Sequence, residues 1–124
     1  MSADTRIARR ESYGQRGLSP VDRLGVALSA RGVRRHLPRG RRLRVVDLGC
    51  GYQATLLRSL APLITSGLGV DVRIGDAARA AEALEFREGL IEDVLPQIES
   101  SSADVVLMIS VLEHLADPQW ALRE

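Results

Sequence analysis

Lysine is absent from this 124-residue chain, and cysteine occurs once, as Cys50. A single cysteine excludes an internal disulfide, which fits a cytoplasmic location. Histidine is almost as scarce, and His36 and His114 stand too far apart to suggest a metal-ligand motif. Aromatic residues make up only 3% of the chain. The core must therefore be aliphatic, built from Val, Leu, Ile and Ala. Long apolar runs are missing too. The longest, Val105 to Leu112, falls far short of the ~20 residues a membrane helix needs. No apolar run follows the first residues, Met1 to Arg6, so no signal peptide is expected. What remains is a chain of 45% hydrophobic residues, long enough for one globular domain at most.

The net charge of +1 hides an uneven distribution. Residues 1–44 hold 12 arginines against Asp4, Glu11 and Asp22, a balance of +9. Residues 45–124 hold five arginines against 13 acids, a balance of −8. Such a patch can attract a polyanion, or it can be a solvated arm shaped by coding bias. The runs Arg34-Arg35-His36 and Arg39-Gly40-Arg41-Arg42 carry no interleaved aromatics, so nucleic acid is not an expected partner.

Along the chain, residues 1–18 read as a flexible N-terminal arm and residues 19–42 as a helix followed by a basic linker. Ser19 suits an N-cap, Pro20 the first helical position and Asp22 the first turn. Val21, Leu24 and Leu28, continued by Val33 and Leu37, supply an expected apolar face. A strand is predicted over Leu43 to Leu48, then a glycine loop and a short helix from Ala54 to Leu60 closed by Pro62. A second strand, Gly67 to Val72, precedes a helix Ala77 to Ala83 capped by Asp76. A third strand covers Leu84 to Arg87, and a helical turn Glu92 to Ile98 is interrupted by Pro96. Ala103 to Ile109 is the strongest strand, and its unbroken apolar run predicts burial on both faces. Asp117-Pro118 opens a last helix. Alternating strands and helices predict an α/β fold with a Rossmann-like parallel sheet and right-handed crossovers. With four strands, the last would be an exposed apolar edge. That predicts a larger fold cut short, or an edge covered by a second copy or a partner chain.

The richest segment is Val45-Val46-Asp47-Leu48-Gly49-Cys50-Gly51, a strand running into a glycine loop. A second strand ends in an acid, Asp71, 20 residues after Gly51. A strand, a glycine turn, a helix and a following acid are the parts of a unit that grips an adenosine ribose. Glycines admit close backbone approach, and a carboxylate accepts hydrogen bonds from both ribose hydroxyls.

These segments, with Ala103 to Ser110 and Val111-Leu112-Glu113-His114-Leu115, resemble the class I S-adenosylmethionine-dependent methyltransferases. The similarity runs from about Leu43 to Glu124, roughly the N-terminal half of that family's domain, so residues 43–124 are read as a partial cofactor-binding domain. The resemblance implies S-adenosyl-L-methionine as cofactor and an acceptor of the small-molecule, sugar or lipid kind. It implies that Asp47 receives the cofactor's ammonium, Gly49 and Gly51 admit its methionine and ribose portions, and Asp71 takes the ribose hydroxyls. Ile91 would pack on the adenine, and Ser110 would lie beside the ligand at a strand end. His114 is the one candidate proton acceptor.

Two departures stand out. Gln53 occupies the position of a further family glycine, and Leu90-Ile91 replaces a polar pair that contacts adenine. Plainer roles stay open: Asp71 as a strand-end acid, Asp47 as a helix cap, the glycines as a tight turn, His114 as a packing or capping residue. Cys50 reads as a passive loop residue, although a helix N-terminus nearby can lower a thiol pKa. Tyr13 can fold over a ligand, and Trp120 and Leu122 are expected to cover core. Other functions fit less well. They are a non-catalytic methyltransferase remnant, a polyanion binder through residues 31–44, and an NAD-binding domain, since Gly49-x-Gly51-x-x-Ala54 satisfies the looser dinucleotide pattern.

Overall fold

A computed structural model of the chain describes residues 11–124. Helix α1 (Pro20–His36) starts where the sequence signals it. Ser19 and Asp22 form a capping box, and Pro20 sits in the first turn. Strand β1 (Leu43–Leu48) runs into the glycine loop, followed by α2 (Thr55–Leu60) and a 3₁₀ turn over Ala61–Leu63. Then come β2 (Ile64–Asp71), α3 (Asp76–Arg79), β3 (Leu84–Glu88), α4 (Ile91–Val94) and a 3₁₀ turn over Leu95–Gln97. Strand β4 (Val105–Leu107), a 3₁₀ turn over Leu112–His114 and α5 (Pro118–Arg123) complete the order. The Asp117 carboxylate caps α5 through the Trp120 amide.

The four strands form one sheet in the order β3-β2-β1-β4, and all three pairings are parallel. The strand order reverses between β1 and β4, so the crevice at the carboxyl ends of these strands is the place for a ligand. Period-two alternation along β1 splits the core into two layers. Leu43 and Val45 pack with Leu56, Leu57 and Leu60 of α2 and with the inner face of α1. Val46 and Leu48 face the other way, into Ile91, Val94, Val111, Leu115 and Ala121. The sheet is thus a Rossmann-like α/β layer with helices on both faces.

Several sequence expectations need correction. Val21, Leu24 and Leu28 of α1 are 78%, 60% and 59% exposed. The helix turns its other side inward, and Val26, Ala30 and Val33 are the residues that pack, with Leu37 just beyond. Smaller side chains on that side allow a close approach to α2. Strand β4 is shorter than predicted, and its Val106 is 54% exposed. It pairs with β1 alone among the described strands, so its run sits at the open edge, with Val105, Leu107 and Ile109 packed toward one layer and Ala103 and Met108 toward the other. Helix α3 lasts a single turn, with Gly75 rather than Asp76 at the N-cap. Leu122 is 65% exposed and covers no core. Of the expected flexible arm, residues 1–10 lie outside the described residues. Within the rest of that arm, Ser12 is buried, and the Tyr52 amide of the glycine loop donates to the Tyr13 carbonyl at 2.8 Å. No helix among the described residues is long and apolar enough to cross a membrane.

Candidate functional site

A cleft of about 630 Å³ opens at the carboxyl ends of the strands. The loops after β1, β2, β3 and β4 each contribute, and Asp47, Gly49, Gly51, Asp71, Ile91, Ser110 and His114 all line it. Sequence positions from 47 to 114 therefore converge on one place. Residues from the N-terminal side close the cleft: Tyr13 and Leu18 before α1, and Gly25, Val26 and Ser29 on it.

Asp47 is the anomaly of the site. It is 4% exposed, and its carboxylate has no hydrogen-bond donor among the described residues. Burial pushes its pKa from 3.8 up to about 7, and the nearby Asp71 carboxylate adds to the effect. A buried carboxylate without a donor is costly to ionise, and it would be relieved by a cation entering the cleft. It does not cap a helix, because α2 has Ala54 at its N-cap and no side-chain cap bond. Asp71 is its opposite, a carboxylate well supplied with donors. One oxygen accepts from the Gly51 amide at 2.9 Å. The other accepts from the Ser12 hydroxyl at 2.6 Å and from the Val72 amide at 2.7 Å.

The loop between the two acids needs its glycines. Gly49 and Gly51 have φ of +83° and +84°, a region that L side chains rarely enter. A Cβ on Gly49 would collide with Cγ2 of Val111, and one on Gly51 would stand 3.3 Å from the Tyr13 carbonyl oxygen. The Gly49 and Cys50 amides both donate to the Val70 carbonyl, at 2.7 and 3.0 Å, tying the loop to β2. Cys50 is buried, and burial beside the two carboxylates pushes its thiol pKa up rather than down. Both effects disfavour the reactive thiolate.

The remaining candidates differ in setting. Ile91 is buried at the start of α4, one wall of the cleft. Ser110 is exposed, with φ of +54°, an uncommon conformation for serine. The His114 side chain is 67% exposed at the rim, with Nε2 3.9 Å from the Glu113 carboxylate. Ser12, Gly25, Val26 and Ser29 were not anticipated. No local motif marks them, because they reach the site only through the docking of residues 11–18 and of α1 across the sheet.

The sequence model described as "Methyltransferase domain" matches residues 46–124, nearly two-thirds of the chain, from within β1 through the glycine loop and Asp71. The chain belongs to this methyltransferase family. Solved structures agree. A Haloferax volcanii putative methyltransferase, in complex with the Trm112 methyltransferase activator, is 28% identical with a TM-score of 0.63. The match covers 80% of this chain and 44% of that one. WbdD, described as a bifunctional kinase-methyltransferase, is 33% identical with a TM-score of 0.52, over 74% of this chain and 22% of its own. YcgJ from Bacillus subtilis shares the fold at 20% identity and a TM-score of 0.60, over 79% of this chain and 42% of its own. The methyltransferase-family chain therefore spans less than half the length of each of these neighbours. No curated protein matches it in sequence.

Within the methyltransferase frame, Gln53 leaves the glycine conformations in place. It is among the residues lining the cleft, and its carbonyl accepts from Arg58 Nε at 2.8 Å. The next residue, Ala54, takes up the left-handed turn with φ of +47°. Leu90 and Ile91 make the β3 side of the cleft apolar.

Proposed function

We propose that this chain is the cofactor-binding part of an S-adenosyl-L-methionine-dependent methyltransferase acting on a small-molecule, sugar or lipid acceptor. The observation that carries this reading is the buried, donor-less Asp47 facing a cleft whose charged lining is acidic. Among the described residues, Glu11, Asp47 and Asp71 line it and no arginine does. Such a cleft suits a ligand bearing positive charge and opposes a pyrophosphate, which argues against the NAD alternative.

The chain's residues fit the cofactor part by part. Asp47 would hold the ammonium by a charge-assisted bond. Gly49 and Gly51 would let the backbone approach the methionine and ribose. Asp71 would take ribose hydroxyls, and Ile91 with Leu90 would bear on the adenine. Bound in this way, the cofactor supplies a methyl group already activated on a sulfonium, so the protein's main task is to position two reactants in line. Ser110 and His114 stand at the open side, where an acceptor would approach. His114 is the proposed proton acceptor, near enough to bulk water to pass the proton on.

A second reading is a cofactor-binding unit that works only with a partner. The open edge of β4 favours it, as does the activator bound to the Haloferax volcanii neighbour. A second copy or a partner chain lying along β4 would complete the sheet.

Calorimetric titration of S-adenosylhomocysteine into the chain, beside an Asp71→Ala variant and an NADH control, tests the proposal. Micromolar binding by the natural chain, lost in the variant and tighter than NADH, is expected. Tighter binding of NADH would overturn it. No binding by a folded monomer, restored by a co-purified partner, would favour the second reading.

A further inference from the structure

The donors already on Asp71 raise a conflict with the role proposed for it. A vicinal diol binds a carboxylate with one hydroxyl on each oxygen. The oxygen that accepts from Gly51 has a lone pair to spare. The other takes both the Val72 amide and the Ser12 hydroxyl, so its two lone pairs are used. Ser12 is no casual surface contact. It is 5% exposed, and its Oγ also accepts from the Arg73 amide at 2.8 Å. The residues after it continue into the site. The Tyr13 carbonyl is bonded to the Tyr52 amide beside Gly51, and Tyr13, Gly14 and Leu18 line the cleft.

We propose that Ser12 is an internal stand-in for one ribose hydroxyl, and that residues 11–18 form a strap that an adenosine-bearing cofactor displaces from Asp71. The inference rests on the cofactor reading above and adds a competitor within the chain. The Ser12 hydroxyl has a second acceptor ready, since Oγ also closes on the Arg73 carbonyl. One proton cannot serve both acceptors. When a ribose hydroxyl arrives, the Ser12 proton turns to the Arg73 carbonyl. The Ser12 and Asp71 oxygens, 2.6 Å apart with no proton between them, then repel, and the strap shifts outward. The two states exchange one hydrogen bond to a carboxylate for another, so the strap sits close to balance and can move with ligand occupancy. While the cleft is free, the strap keeps Asp71 satisfied and its side of the glycine loop covered.

The test is the affinity of Ser12→Ala for S-adenosylhomocysteine, with hydrogen exchange of residues 11–18 followed in the same samples. Removing the competitor should tighten binding about tenfold, the scale of one hydrogen bond to an ionised group. In the natural chain, ligand should raise amide exchange across residues 11–18. Binding by the natural chain that Ser12→Ala leaves unchanged or weakens would overturn the strap while sparing the cofactor reading. Failure of both chains to bind, with the strap amides protected, would overturn both.

Discussion

Replacing Asp47 with asparagine probes a buried acid that is costly to ionise. The carboxyl titrates near pH 7 in the folded chain against an ordinary value of 3.8. Below about pH 4 it is protonated in the folded and unfolded states alike and has no effect on their balance. Between about pH 4 and 7 the unfolded chain has released the proton and the folded chain still holds it. The folded state then binds more protons, so rising pH lowers stability. Above about pH 7 the penalty is complete. At about 1.4 kcal/mol per pH unit, the gap from 3.8 to about 7 corresponds to about 4 kcal/mol, a large part of the ~5–15 kcal/mol that holds a domain together. Asp47→Asn keeps the shape and removes the charge. Urea unfolding of both chains from pH 4.5 to pH 8 should give a difference that grows with pH in favour of the variant. It should reach about 2–4 kcal/mol at pH 8, once the amide's own burial is set against the gain. The gain in stability should come with a loss of S-adenosylhomocysteine binding, because the ammonium loses its counter-charge. In the natural chain, binding near pH 6 should release a proton from Asp47, seen as a dependence of the calorimetric heat on buffer ionisation enthalpy. A stability difference that stays flat across this pH range would refute the assignment of Asp47 as a buried, uncompensated acid.

Two further outcomes follow from named contacts. Gly49→Ala places a side chain at φ of +83° and against Val111; a loss of about 2–4 kcal/mol is expected from strain and overpacking together, read from the urea midpoint. Asp104 shows the opposite pH behaviour to Asp47. Hydrogen bonds from the Arg44 side chain and backbone, at 2.9 to 3.3 Å, hold its pKa down to about 2. Its contribution is present above about pH 4 and is lost as pH falls toward 2, so Asp104→Asn should be less stable than the natural chain at pH 5, with the gap closing by pH 2.5.

The parts of this protein legible in sequence are those encoded within a few neighbouring residues. Ser19-Pro20-x-Asp22 and Asp117-Pro118 marked helix starts because a cap is made by side chains reaching three residues along their own chain. Gly49 and Gly51 marked the loop because only glycine adopts its dihedrals freely. The apolar strand before the glycines and the acid at position 71 marked the ends of β1 and β2, which pair in parallel and lie side by side at the cleft.

What depended on distant partners was read less well. The apolar stripe of Val21, Leu24 and Leu28 pointed outward, because the choice of helix face depends on what small residues can approach across α2 and the cleft. The run from Ala103 to Ile109 took the edge position expected of a fourth strand, but only Val105–Leu107 is strand and Val106 is half exposed, because strand length depends on pairing partners that hydrophobicity alone does not reveal. Ser12 lies 59 residues from Asp71, and no spacing rule connects them. The sequence by itself determined the strand–glycine-loop–acid unit and hence the family, since these are short-range constraints on the backbone. Only the tertiary structure decided that Asp47 is buried with no donor among the described residues and that Asp71 is already occupied from within the chain, since burial and competition exist only once separate segments share one space.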